Sequence, residues 1–357
     1  MRHSVSLLVL LAACDHSAPF TPAPILPLGP KDATPPVHLT FNPATDYAPT
    51  WTEDGKGILY NFAQQNRSDG DRCLGLLPAD GGTRLWTLCD DRATHADSSD
   101  SFGAAALGTD GRLLYLESSA RKGKEAPDNT VLWLADTAAP FNRRALITFP
   151  SFVGDSIISW MSDVQWTGPN EFIALAQRLE VFQLFLRRIE SDTVLWGQAV
   201  VRGTISATGA ALRIIPGTEG FAWYALAEGG NTIVLARRYG LSLQRVPISG
   251  GIPTLVADIP PDSNRHILGL TCRGETCLVA ADLVLLRPPA PLIGTEPQPN
   301  GRVFSVNLTT GAVDVLQAAA ASVFLAGPHV APGLGDIVLQ VGALRSTDLY
   351  LYKGMLP

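Results

Sequence analysis

One phrase recurs along this chain, and it limits the possible folds more than any other feature. It reads Tyr47-Ala48-Pro49-Thr50-Trp51-Thr52-Glu53-Asp54-Gly55-Lys56-Gly57-Ile58-Leu59-Tyr60: an apolar run, a polar turn, and a second apolar run. Further copies lie at Gly103–Tyr115 and Asp163–Ala174, with weaker ones at Arg213–Trp223, Leu270–Ala280 and Val330–Leu339. Gly, Asp or Pro between two apolar runs is the signature of a β-hairpin. A second hairpin follows each copy, most clearly at Cys73–Thr83, Leu243–Ile252 and Val303–Gly311, with a last strand at Asp348–Tyr352. Two hairpins per ~50 residues make a four-stranded antiparallel sheet, the unit of a propeller. Six copies predict an all-β fold: a six-bladed β-propeller of four-stranded antiparallel blades.

The first phrase, with Pro49, Trp51 and Asp54-Gly55, resembles the WD40-like repeat of TolB-type six-bladed propellers over residues 38–353. Where that family has Ser-Pro before Asp-Gly, this chain has Thr52-Glu53. The resemblance implies a ring whose face recognises a protein or peptide. Trp51, Trp166, Trp223, Tyr60 and Tyr115 fall at one position of the blade and are expected to form core between blades. The last blade offers three strands, and the alternating Val37-His38-Leu39-Thr40-Phe41 is expected to supply the fourth, closing the ring. Two stretches, 176–188 and 316–326, have the propensity for short helices.

The 357 residues carry 27 basic and 33 acidic side chains, a formal net charge of −6, which argues against a nucleic-acid surface. A 46% hydrophobic share is ample for a core, while 33 Gly and 27 Pro suit a turn-rich chain. Met1–Ala13 has the form of an export signal, with Arg2 as its charged region and Ser6–Leu11 as its apolar one. It ends in Leu11-Ala12-Ala13-Cys14, which resembles the bacterial lipobox. The resemblance implies cleavage before Cys14, a lipid on its thiol, and acylation of the new amino terminus by a chain such as palmitate. Prolines at 19, 22, 24, 27, 30, 35 and 36 forbid helix and favour an extended spacer. The expected organisation is therefore a lipoprotein signal over 1–13, a lipidated Cys14 with a Pro-rich tether over 14–36, and a propeller over 37–357. The expected location is the cell envelope, anchored to the inner or outer membrane facing the periplasm, or at the cell surface.

Four cysteines remain beyond Cys14. In Cys272-Arg273-Gly274-Glu275-Thr276-Cys277 a two-residue turn places the thiols opposite each other, at the short Cα separation a cross-strand disulfide needs. Cys73 and Cys89 stand equidistant from residue 81, inside the turn Asp80-Gly81-Gly82. Two local bridges, Cys73–Cys89 and Cys272–Cys277, are expected in an oxidising compartment; the rival reading, a metal site, lacks paired Cys-x-x-Cys spacing.

Chemistry is sparse. There is no Gly-x-Ser-x-Gly elbow and no phosphate-cradling loop. The histidines are scattered singly, as polar surface residues are. The polar loop Asp90–Asp100 precedes an inner strand and offers carboxylates for calcium, without EF-hand spacing; no cofactor is otherwise expected. Tyr47, His95, Asp97, Asp100, Ser162, Asp163 and His266 are the candidate contacts at the channel mouth. The favoured reading is a monomeric, lipid-anchored binding module for a protein or peptide of the envelope. The second is an envelope hydrolase or lyase working through channel carboxylates, a histidine or a metal.

Overall fold

A computed structural model describes residues 35–41, 45–63, 72–89, 98–121, 129–137, 139–180, 197–237, 241–259, 266–282, 301–318, 324–333, 335–343 and 346–356. Six antiparallel sheets form six blades around a central axis. Blade 1 holds Asp46–Trp51, Gly57–Ala63, Arg72–Pro78 and Trp86–Leu88. Blade 2 holds Ser98–Leu107, Arg112–Arg121, Asn129–Asp136 and Ala139–Phe149. Blade 3 has five strands: Ser151–Val153, Ser156–Gly168, Glu171–Glu180, Gly197–Ser206 and Gly209–Ile214. Blade 4 holds Trp223–Ala227, Thr232–Ala236, Ser242–Pro247 and Thr254–Asp258. Blade 5 holds His266–Arg273, Thr276–Asp282, Arg302–Asn307 and Val313–Ala318. Blade 6 holds Phe324–Val330, Ile337–Ala343 and Ser346–Tyr352, completed by Val37–His38 from the start of the propeller.

The Asp-Gly turns explain why the phrase repeats. Gly55 and Gly111 take φ of 67° and 80°, where only glycine is unstrained. The carboxylate before each accepts a backbone N–H two residues on, Lys56 N–H to Asp54 at 3.0 Å and Arg112 N–H to Asp110 at 3.1 Å. These Asx bonds fix the turn independently of its surroundings. The fourth copy behaves differently. Arg213–Trp223 is the passage from the outer strand of blade 3 to the inner strand of blade 4, whose inner hairpin turns instead through Glu228–Gly230. The two expected helices are also corrected: Ala176 lies in the strand Glu171–Glu180, and Leu316 and Ala326 lie in Val313–Ala318 and Phe324–Val330. Of these stretches, residues 181–188 and 319–323 lie outside the described residues.

Hydrogen bonds tie neighbouring blades near the axis. Trp51 Nε1 donates to His329 O of blade 6 at 3.1 Å, and Trp166 Nε1 to Ala106 O of blade 2 at 3.2 Å. Asn61 Nδ2 reaches Phe102 O at 2.8 Å, joining blades 1 and 2. The expected core aromatics divide into two groups. Trp51 and Trp166 sit on inner strands, while Tyr60 and Tyr115 sit on second strands, and all four are buried. Trp223 is half-buried at the start of its inner strand.

Ring closure follows the expected pairing, with Val37 opposite Leu351 and His38 opposite Tyr350. Leu39 N–H donates to Leu349 O at 2.9 Å, and Leu349 N–H to Thr40 Oγ1 at 2.9 Å. His38 lies 2.9 Å from the Asp348 carboxylate and stacks on Tyr350, ring centroids 4.4 Å apart. Both expected disulfides are formed: Cys73–Cys89 and Cys272–Cys277, with Cα atoms 4.5 and 4.0 Å apart.

Candidate binding face and axial channel

The first strand of each blade, or in blade 3 the second, Ser156–Gly168, lines the axis, and five of these six strands carry one extra residue near mid-length. The pairing slips between Tyr47 and Thr50, Gly103 and Ala105, Ser162 and Gln165, Ile267 and Gly269, and Ala326 and His329. A bulge of this kind bends the strand and re-aims the side chains beside it. In blades 1, 3 and 6 the first unpaired residue is left-handed: Ala48 at φ 50°, Asp163 at 48° and Gly327 at 52°. For Ala48 and Asp163 that conformation costs about 1–2 kcal/mol each, and such outliers gather at functional positions.

The bulges surround an axial cavity of about 80 Å³, to which Pro49, Asp163, Trp223, Gly269 and His329 contribute. Asp163 is open to a water-sized molecule within the channel, and the surrounding channel walls limit its hydration. Burial pushes its carboxyl up to about 6, against an opposing hydrogen bond from Ser162. The Tyr224 hydroxyl of blade 4 donates to the Asp163 backbone carbonyl, and lies 3.2 Å from Ile173 O. Burial holds that phenol well above its usual range, so it stays a donor. Across the cavity, His329 Nδ1 accepts the Trp51 N–H at 3.3 Å, which places the neutral ring's proton on Nε2. Burial lowers this imidazole to about 4. The channel thus presents a carboxyl that titrates near pH 6 and a histidine that stays neutral at pH 7.

The candidate contacts scatter over this frame. Tyr47 and Ser162 hold the same ladder position, immediately before the bulge, and Asp163 follows. His266 stands one step earlier than expected, because Ile267 occupies the equivalent place; it pairs with Asp282. Asp100 is opposite Ser119, three ladder positions before Gly103. His95 and Asp97 lie outside the described residues, as does Cys14. Among the described residues, no group of three or more His, Cys, Asp or Glu is placed to hold a metal ion.

Two features were missed from sequence. His329 is a channel residue rather than a surface one, and its signal was present: Ala326-Gly327-Pro328-His329-Val330 aligns with Tyr47-Ala48-Pro49-Thr50-Trp51 once the sixth copy is started earlier. The other is the fifth strand of blade 3. Ser151–Val153 pairs with the start of the 13-residue inner strand, so this hairpin rises past the shorter inner strand of blade 4. Phe152 opposite Ile157, and Trp160 opposite Gln177, fall on the face whose continuation, Ile173 and Leu175, packs on blade 4. Among the described residues that cover ends there, and Phe152 is 73% and Trp160 38% exposed.

No protein-family model matches the sequence, and no curated protein matches it. Solved structures do. A luciferin-regenerating enzyme superposes with a TM-score of 0.54 at 9% identity, covering 90% of this chain and 96% of its own. Regucalcin of Agrobacterium tumefaciens, a calcium-binding protein, gives 0.51 at 13% identity, covering 92% and 95%. TolB of Acinetobacter baumannii gives 0.46 at 12% identity, covering 86% of this chain and 63% of its own. At these identities a shared activity does not follow, and what the chain has in common with the first two is the β-propeller fold.

Proposed function

We propose that this protein is a lipid-anchored binding module of the cell envelope that recognises a protein or peptide at the upper face of its ring, the end where the inner strands begin. The observation that carries the reading is the raised hairpin of blade 3. Exposed aromatic residues on a rigid element are the side chains that dominate protein interfaces, because they bury large area at little entropic cost. Phe152 and Trp160 stand on one sheet face above the rim. The envelope address rests on the Leu11-Ala12-Ala13-Cys14 box, with two disulfides consistent with an oxidising compartment.

The test is a photo-crosslinking residue placed at 152 or 160 in cells, followed by affinity measurement with the partner it captures. Phe152→Ser and Trp160→Ser should each weaken that complex at least about tenfold, a typical loss for an aromatic anchor. A partner that crosslinks at neither position, or binds both variants normally, overturns the reading.

One observation favours the second reading, a hydrolase or lyase: Asp163 and His329 share a single cavity with pKa values moved from their usual ranges. Turnover of an envelope substrate that is lost in both Asp163→Asn and His329→Gln would select it.

A further inference from the structure

The axial cavity holds a carboxylate that the fold does not balance. Asp163 is exposed within the channel, so a small group can reach it, and Ser162 is the side chain that hydrogen-bonds its carboxyl. Among the described residues no Lys or Arg pairs with it. Asp54, Asp110, Glu117 and Glu171, by contrast, each lie within ion-pair distance of their own cation: Lys56, Arg112, Arg143 and Arg202. Nor does the backbone call for an acid there, since the same left-handed slot holds Ala48 in blade 1 and Gly327 in blade 6. Pro49, Trp223 and Pro328 wall the cavity beside it. Apolar walls leave the attraction between a carboxylate and a cation less screened than it is in water.

The surroundings select the kind of cation. A divalent metal takes about four to eight ligands, and among the described residues no group of three or more His, Cys, Asp or Glu is placed to supply them. One carboxylate balances one positive charge. The space of about 80 Å³ exceeds the roughly 10–15 Å³ that a water needs, yet falls well short of the ~300 Å³ of a whole-ligand pocket. A head group on a short stem fits that description. Guanidinium is a planar fork suited to a bidentate partner, whereas an ammonium is a compact charge with three donors that can reach different blades. Thr50 of blade 1 and Gln165 of blade 3 line the cavity together with Asp163.

We infer that the axial cavity binds one primary ammonium group, its nitrogen on the Asp163 carboxylate and its carbon stem against Trp223, Pro49 and Pro328. A free amine and the end of a lysine side chain share this chemistry. The inference rests on the cavity alone and needs neither partner capture at Phe152 and Trp160 nor any turnover.

Ethylammonium is the probe, titrated into the full chain at pH 7 and followed through the Trp223 indole N–H resonance by NMR. It should shift that resonance saturably. Ethanol lacks the charge and tetramethylammonium lacks the N–H donors, so each should bind at least about tenfold more weakly, as should calcium. Asp163→Asn keeps the side-chain shape and suits a left-handed backbone, so it should fold. It should weaken ethylammonium about tenfold or more while leaving ethanol unchanged, a split that a folding defect does not produce. Ile252→Ser, at an exposed site on blade 4, should bind as the unaltered chain does. N-acetyl-lysine amide distinguishes the sources: binding as tight as that of ethylammonium assigns the site to a polypeptide lysine, and exclusion assigns it to a free amine. The inference is overturned if ethylammonium fails to saturate the shift, or if calcium or tetramethylammonium binds as tightly. Normal binding by Asp163→Asn overturns it equally. None of these outcomes bears on partner recognition at Phe152 and Trp160.

Discussion

Removing the closing strand should unfasten the ring, and the structure gives the size of the effect. Two truncations compare cleanly: deletion of residues 15–35, which spares Val37–Phe41, and deletion of residues 15–41. The longer cut removes the ladder pairs Val37–Leu351 and His38–Tyr350, and the bonds between Leu39, Thr40 and Leu349. It also removes Leu39, 3% exposed in the core between blades 6 and 1, and the His38 partner of the buried Asp348. Truncating a buried leucine alone costs about 2–5 kcal/mol, and each hydrogen bond adds about 1 kcal/mol. The whole strand is then worth at least about 5 kcal/mol, the size of a typical domain's entire net stability. At about 2 °C per kcal/mol for a propeller-sized domain, the longer deletion should melt some 10 °C or more below the shorter one. Leu39→Ala should fall between them, about 6 °C down. Stripping the strand also exposes the unpaired edge of Ser346–Tyr352, so the longer deletion should aggregate on heating. Calorimetric melting with light scattering measures both. Two truncations that melt within a degree of each other refute the reasoning, because closure would then not depend on this strand.

Other perturbations have definite signs. The Asp163 carboxyl is raised in the folded state, so between pH 4 and 6 the fold binds the extra proton; its contribution is full below pH 4 and lost as pH rises through 6. Asp163→Asn should therefore gain stability at pH 7–8 and lose that advantage below pH 4, by about 1 kcal/mol once channel water is allowed for. His329 has the opposite sign: its depressed pKa gives stability that is present above pH 6.5 and lost as pH falls through 4, and His329→Gln should flatten that limb of a melting-versus-pH profile. On loop entropy, replacing Cys73 and Cys89 by Ser should cost about 3 kcal/mol, and replacing Cys272 and Cys277 about 2 kcal/mol, read by urea unfolding. Cys14→Ser should move the protein from the detergent phase to the aqueous phase, and a wild-type mature mass with unmodified Cys14 would contradict the anchor.

The architecture was legible because its determinants are local. Asp54-Gly55 and Asp110-Gly111 carry their own hydrogen bonds and their own left-handed glycine, so the turn survives whatever packs around it. The cysteine hairpin at 272–277 encodes its register in a two-residue turn, and the alternation of Val37–Phe41 encodes an edge strand. Blade 4 was misplaced for the same reason. Glu219-Gly220 imitates the turn signal, whereas the true inner hairpin bends through Glu228–Gly230. Ala176–Glu180 reads as helix on propensity, yet pairs with residues 156–161 and 197–199, because a buried central strand takes its conformation from its neighbours.

The axial site resisted sequence reading because each of its members depends on a bulge. One inserted residue reverses which side of a strand faces the axis. Plain alternation therefore assigns Thr50, Gln165 and His329 to the wrong side of the slip. Asp163 was within reach because it sits at the start of a recognisable phrase, whereas His329 and Tyr224 needed knowledge of which blade lies opposite and which lies next. The three left-handed positions, Ala48, Asp163 and Gly327, differ in the side chain they turn toward the channel: a methyl, a carboxyl and none. The ring supplies equivalent backbone slots, and the sequence fills one of them with charge. A carboxylate placed there gains no packing and costs both backbone strain and desolvation, about 1–2 kcal/mol for the strain alone. Ala at the same slot in blade 1 demonstrates that the geometry does not require it. If Asp163 serves only the fold, Asp163→Ala should be at least as stable as the unaltered chain and bind the envelope partner equally well. If it serves recognition, the same variant should gain stability while losing affinity, and that opposed pair of changes is what a purely structural residue cannot produce.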